Sequence, residues 1–390
     1  MSALREHFGA EVPGRVHVAQ QAMFGWLLVL GLLHVSEEWS DVIAVWAIGR
    51  DPLVAFAPRA LVALSALGAL ALFVGWRGRL AAAVVCASLA ALYAWLPVVY
   101  HNNTYLAWLM ALALGVAGHP EYRLAWIARP ARDPSPYVAL LPRLVQWQVA
   151  IVYVMSVAVK SAHPWWQGTG QVIQWITRER APASSNGLVN MIVHPALMNL
   201  RVASALDVMT MGLEVIVPIM LFTTKWRRTA LVMGVMLHTF MQEWLFPQLF
   251  TFLMLWGYYA FVPAGDRAWR VRYSPASSVD RALAKVYPYL DWRARTRWEP
   301  SDDGDLTLTS PDGKESRGAR VLALLTVLSP VTLMAWATFS LPMPHARTVF
   351  TLPRDAVENV VILALGSLWL PGLWDGVWKR LRGVTREGAW

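Results

Sequence analysis

The chain has 390 residues, 56% of them hydrophobic and only 15% charged. A soluble domain of this size carries about 25% charged residues, and here apolar stretches of roughly the 20 residues that cross a bilayer as helix recur from end to end, so a soluble fold is excluded. The net charge of +9 is accounted for by basic loops on the cytoplasmic side of a membrane protein, and no nucleic-acid partner is expected.

In chain order, ten spans are predicted near 20–36, 53–75, 80–99, 104–118, 138–159, 204–223, 229–243, 248–263, 319–340 and 356–374. The fold class is an all-α polytopic transmembrane helix bundle of about eight to ten spans. The first apolar run, Met23 to Val35, follows a polar arm and lacks an A-x-A cleavage site, so it reads as a span rather than a signal peptide. Cys86 is the one cysteine, and no intramolecular disulfide can form. Pro330 and Pro371 fall inside the last two spans and predict a kink or partial embedding there.

Alternating these spans places 26 of the 34 Lys and Arg residues on one side and 8 on the other. By the positive-inside rule both termini are cytoplasmic, in a multi-pass inner (cytoplasmic) membrane protein. Residues 1–263 then form the main transmembrane domain, 264–318 a polar cytoplasmic segment, and 319–390 two further spans with a basic tail. Within 264–318, Leu306–Thr309 followed by Ser310-Pro311-Asp312-Gly313 reads as a β-hairpin, because Asp-Gly favours a tight turn. Segment 160–203 is too polar for lipid and is expected to fold over the outer surface.

Ionisable groups at membrane depth are costly and mark function. His34, Glu37 and Glu38 stand at the outer end of span one, as a solvated helix end or as site members. His101, Asn102, Asn103 and Thr104 form the outer turn between spans three and four, which is either a capped polar turn or a donor-rich binding edge. Lys160 ends span five, five residues before Trp165-Trp166. It either snorkels to the interface or, walled from water by the aromatics, serves as a neutral amine base. Asp207 and Glu214 share a stripe of span six; Glu214, four residues before Pro218, could instead satisfy the carbonyl that the proline frees. His238 and Gln242 share a face of span seven, with Glu243 beside them. No spacing among these residues supports a metal site. Under one topology most of them fall toward the outer half, which predicts a pocket opening outward among the helices.

The run from Tyr153 to Lys160, followed by Trp165 and Gly168, resembles the catalytic-lysine motif of the vitamin K-dependent γ-carboxylases and their HTTM-domain relatives. Asn102-Asn103-Thr104-Tyr105-Leu106 is similar to that family's Asn-rich turn. Asp207 through Glu214 and Pro218 to the basic turn Lys225–Arg228, then His238 and Gln248-Leu249-Phe250, continue the likeness over roughly residues 22–263. The resemblance implies that Lys160 deprotonates a reduced vitamin K or menaquinol-type naphthoquinone, with O2 and CO2 as co-substrates. It also implies that the base so generated leads to carboxylation of a glutamate in a secreted peptide on the extracytoplasmic side. Trp165 and Trp166 would keep the amine dry, and His101, Asn102 and Asn103 would face the quinol. Two departures stand out. Asn103 occupies the turn position where animal enzymes carry a histidine, and residues 264–390 read as a short inner segment and two spans in place of their large outer domain. The implied partners are the lipid bilayer, the quinone and a peptide substrate. The alternative is a non-catalytic membrane protein that binds a secreted peptide or lipid during maturation or immunity. A transporter is disfavoured because no inverted repeat is visible.

Overall fold

A computed structural model describes residues 11–12, 14–97, 102–117, 137–138, 140–162, 168–180, 195–245, 249–262, 269–291, 296–302, 304–310 and 313–341. Helices α1 (Gly14–Ala47), α2 (Pro52–Val74), α3 (Gly78–Trp95), α4 (Asn102–Ala117), α5 (Leu140–Ala162), α6 (Gln171–Arg180), α7 (Leu200–Phe222), α8 (Arg227–Leu245) and α9 (Leu249–Tyr258, continued by a 3-10 turn Tyr259–Phe261) come first in the chain. Among the described residues, α1, α2, α3, α5 and α7 are long and apolar enough to cross a membrane, and α4, α8 and α9 are shorter apolar helices. This is a multi-pass membrane protein. The predicted span near 356–374 lies outside the described residues.

The bundle is built around α9. A helix apolar on every side belongs in a core, and all of α9 except Phe250 is buried, among α1, α4, α5 and α8. Trp256 donates its indole N–H to the Gln20 carbonyl at 2.8 Å and packs on Phe24 with centroids 5.2 Å apart. Gln146 on α5 donates to Ala260 O at 2.7 Å. These bonds set one end of α1, α5 and α9 together, and Trp147, Phe222 and Phe261 stack there as well. A two-residue pairing of β1 (Glu11–Val12) with β2 (Tyr137–Val138) joins the starts of α1 and α5 at that end, here termed the near face. Lys160, Gly168 and the start of α7 lie toward the other end, the far face.

Two predicted spans differ from the helices observed. The first, 20–36, is the middle of a 34-residue helix, because Arg15, His17, Gln20 and Gln21 before the apolar run and Ser36 to Asp41 after it continue as helix. The second, 319–340, is broken into α11 (Ala319–Leu328) and α12 (Pro330–Ser340), bent by 70°. Pro330 starts α12, and Ser329 before it is extended (φ −81°, ψ 122°), as a residue preceding proline tends to be. The two halves have different surroundings. Val321 and Leu325 of α11 pack on a sheet, whereas Leu333, Met334, Trp336 and Ala337 of α12 join the membrane core. At about 1.5 Å per residue, the 11 residues of α12 cover roughly half of a 30 Å hydrocarbon layer.

That sheet is larger than the hairpin read from Asp312-Gly313. Strands β3 (Trp269–Tyr273), β4 (Thr296–Pro300), β5 (Thr307–Thr309) and β6 (Glu315–Arg317) pair in the order β4-β3-β5-β6. The β5–β6 and β3–β5 pairs are antiparallel, and β3–β4 is parallel across helix α10 (Ser278–Leu290). Ser277 caps α10 by accepting from Asp280 N, and Asp280 accepts in turn from Ser274 N at 3.0 Å. Tyr287 donates to Leu325 O at 2.8 Å and ties this unit to α11.

The closest helix contact sets a stability test. A Cβ at Gly25 would collide with the Phe73 backbone and lie 2.9 Å from Ala69 O, whereas one at Gly212 would meet nothing within 4 Å. Gly25→Ala is expected to destabilise the protein by about 1–3 kcal/mol or more. Gly212→Ala should be neutral or stabilising by up to about 1 kcal/mol. Thermal unfolding in detergent checks both; equal midpoints would refute the tight α1–α2 contact.

Candidate functional site

Helix α5 carries Ser156 and Lys160 at i, i+4, so both point to one neighbour. That neighbour is Glu214 of α7. Lys160 Nζ donates to Glu214 Oε1, and Ser156 Oγ donates to Glu214 Oε2 at 3.1 Å. The side chains are 14% and 4% exposed, so this ion pair is inside the bundle. Both carboxylate oxygens are engaged by α5. The reading in which Glu214 turns back to the carbonyl freed by Pro218 is therefore corrected: the buried amine is the stronger partner for a carboxylate than a neutral carbonyl, which could be reached only by a protonated acid.

Two turns along α7 toward the far face, Asp207 is fully buried. Its Oδ2 accepts from Gly170 N at 2.8 Å, while Oδ1 has no hydrogen-bond partner among the described residues. Lys160 is close enough for its charge to act on Asp207. The backbone that reaches Asp207 turns through Gly168 and Gly170, both at positive φ (73° and 70°). Only glycine suits Gly170 on two counts, because a Cβ would also lie 2.6 Å from Ser204 N. Ser204 donates its hydroxyl to Gly168 O, and the Asn199 side chain caps α7 by accepting from Arg201 N at 3.0 Å. The loop before α6 is thus bound onto the start of α7.

On the other side of the ion pair lies a buried aromatic group. The Tyr153 hydroxyl bonds to the Tyr258 hydroxyl and, at 3.1 Å, to His238 Nε2. The His238 ring sits among Tyr153, Phe250 and Tyr258, with centroids 6.0, 5.9 and 5.7 Å away. Its Nδ1 has no hydrogen-bond partner among the described residues. Glu214 acts electrostatically on both tyrosines and Lys160 on His238, so the pair and the aromatic group form one neighbourhood. Gly234 of α8 leaves the space that the Tyr258 hydroxyl fills, 2.5 Å from where a Cβ would stand.

The family model of the HTTM domain matches residues 23–265, more than half of the chain. The chain belongs to the HTTM-domain family. No curated protein and no solved structure matches it. The matched region runs from α1 through the 3-10 turn after α9 and contains every residue of the group just described.

Of the residues singled out in this HTTM chain by sequence, Lys160, Asp207, Glu214 and His238 come together. His34 is buried in α1, one turn beyond the Gly31 that packs on Leu249. Asn102 and Asn103 open α4, Glu37 lies in α1, and Gln242 and Glu243 lie in the last turn of α8, with their side chains outside the described residues. His101, Trp165 and Trp166 also fall outside them. Among the described residues no group of three or more His, Cys, Asp or Glu is placed to hold a metal. Tyr153, Ser156 and Phe250 fall in stretches that carry the resemblance but were not singled out as site residues, and Gly170 and Tyr258 were not named. Ser156 was signalled by its i−4 spacing from Lys160, and Gly170 by the Gly-x-Gly turn.

Removing one partner of a buried ion pair strands a charge, at a cost of about 3–5 kcal/mol. Glu214→Leu is therefore expected to lower the unfolding midpoint sharply, and the double variant Lys160→Met/Glu214→Leu to recover most of the loss. A double variant no more stable than Glu214→Leu alone would show that the pair is not formed.

Proposed function

We propose that this protein is a membrane enzyme of the γ-carboxylase-like kind, in which Lys160 is the base acting on a reduced naphthoquinone. The observation that carries this reading is the Lys160–Glu214 contact with Ser156 on the second carboxylate oxygen. A lysine can act as base only as the free amine. Transfer of the ammonium proton to Glu214 leaves a free amine and a neutral acid, so the site changes state without gaining net charge in a low-dielectric bundle. Ser156 holds the carboxyl group in place in both states.

The residues present suit a hydroxyl donor. The buried Asp207 Oδ1 is an acceptor with no donor among the described residues, and Lys160 lies within electrostatic reach of it. A reduced naphthoquinone held there by Asp207 and Lys160 would supply, with O2, the strong base that removes a γ-proton from a peptide glutamate before CO2 adds. In this reading Asp207 accepts from one hydroxyl of the quinol, Lys160 takes the proton of the other, and Glu214 carries the proton that Lys160 must first lose. The expected side is extracytoplasmic, from the Lys and Arg distribution.

The same ion pair supports a second reading: a structural cross-link between α5 and α7 in a protein that binds a secreted peptide or lipid without catalysis. Lys160→Arg separates the two, because arginine keeps the pair but cannot deprotonate. Purified protein in detergent is given reduced vitamin K and O2, and epoxide is measured. The enzyme reading expects epoxide from wild type, a loss of at least about 100-fold in Lys160→Arg, and an unfolding midpoint near wild type in that variant. Equal epoxide from Lys160→Arg and wild type would exclude Lys160 as base. No epoxide from folded wild type would favour the binding reading.

A further inference from the structure

Arg143 and Arg227 both stand at the near face, and among the described residues neither is bonded to a carboxylate. Arg143, in the first turn of α5, donates Nη1 to Gln146 Oε1 at 2.8 Å, and Gln146 is itself held on Ala260 O. The Arg143 Nε is buried and, among the described residues, has no hydrogen-bond partner. Arg227, the first residue of α8, donates Nε to Leu221 O at 3.0 Å. The two guanidinium charges act on each other. Among the described residues neither arginine is in an ion pair.

Arg143 stands one turn before Trp147, and Arg227 is bonded to the residue before Phe222, so both flank the Trp147–Phe222 ring contact. Partly buried like charges bonded only to neutral partners are unfavourable until an anion joins them. The guanidinium fork matches phosphate oxygens two at a time. Helices α5 and α8 both begin here, and their N-terminal dipole ends favour the same sign of ligand. One turn into the membrane from Arg143 stand Trp147, 48% exposed, and Phe222, 37% exposed, with ring centroids 5.3 Å apart. Phe222 in turn meets Phe261 edge-on at 5.3 Å. An anionic head against the arginines and a hydrocarbon chain along these rings is the arrangement of a phospholipid.

We propose that Arg143, Arg227, Trp147 and Phe222 form a near-face binding site for an anionic membrane phospholipid, with its phosphate on the two guanidiniums and an acyl chain along the two rings. A free phosphate shares the head-group chemistry but makes no use of the exposed rings. The site is separate from the Lys160 group and does not depend on its proposed role.

The test uses the full chain, purified in detergent and titrated with phosphatidylglycerol, phosphatidylcholine or inorganic phosphate. Retained lipid is counted by native mass spectrometry, and the unfolding midpoint is followed alongside. Phosphatidylglycerol is expected to be retained and to raise the midpoint, phosphatidylcholine to be retained more weakly, and inorganic phosphate to do little. Arg143→Gln and Arg227→Gln should each weaken phosphatidylglycerol retention by about tenfold, while Arg201→Gln on the far face leaves it unchanged. Equal retention of the two lipids by wild type overturns the proposal, as does unchanged phosphatidylglycerol retention in both glutamine variants. A midpoint shift from inorganic phosphate as large as that from phosphatidylglycerol assigns the site to a free anion and overturns the lipid assignment. The wild-type comparison decides the matter even where a glutamine variant does not fold.

Discussion

An amine carried below the end of a membrane helix has to be matched by another polar group inside the bundle, and Glu214 matches Lys160. That contact fixes the register of α5 against α7. Trp147 then meets Phe222 at the near end, and the loop after α5 reaches Ser204 and Asp207 at the far end. Gly170 and Gly168 are the positions that let this loop lie flat on α7. Sliding α5 by one turn would strand the Glu214 carboxylate, while Asp207 separately holds Gly170 onto α7.

The central helix α9 depends on the same alignment. Its Tyr258 hydroxyl is bonded to Tyr153, one turn before Ser156 on α5, and rests in the gap left by Gly234 on α8. Three helices therefore meet at a point where polar atoms bond to one another rather than to backbone. Buried polar networks specify a unique arrangement when their members are satisfied. Among the described residues of this group, His238 Nδ1 and Asp207 Oδ1 have no partner. They lie on opposite sides of the ion pair, and of the two only Asp207 enters the proposed reaction.

Most of the bundle was legible because lipid demands long apolar helices, and Lys and Arg mark the loops between them. Hydropathy fails where an apolar run is buried by protein instead. Residues 319–328 read as half of a span, yet Val321 and Leu325 fill the core of the sheet. The alternating Trp269-Arg-Val-Arg-Tyr273 and the Ser277-x-x-Asp280 cap were visible signals for β3 and α10, overlooked beside the stronger Asp-Gly turn. At the site, charge made Lys160, Asp207, Glu214 and His238 stand out. Tyr153 and Tyr258 are ordinary residues for a membrane helix, and their bond links positions 105 residues apart, which no local pattern encodes.

The orphan Asp207 Oδ1 gives the far side of the site its chemical direction. A buried carboxylate oxygen without a donor is unfavourable, and the Ser204 hydroxyl, one turn away on α7, is turned to the Gly168 carbonyl. Gly170 supplies a single N–H to Oδ2, and the Lys160 ammonium donates to Glu214. Among the described residues Asp207 thus keeps an unused acceptor within electrostatic reach of Lys160. On the proposed reading one hydroxyl of the quinol would relieve the carboxylate and leave the other for the amine. A ligand with two hydroxyls therefore suits this arrangement better than one with a single hydroxyl, whose one proton could go to Asp207 or to Lys160 but not to both.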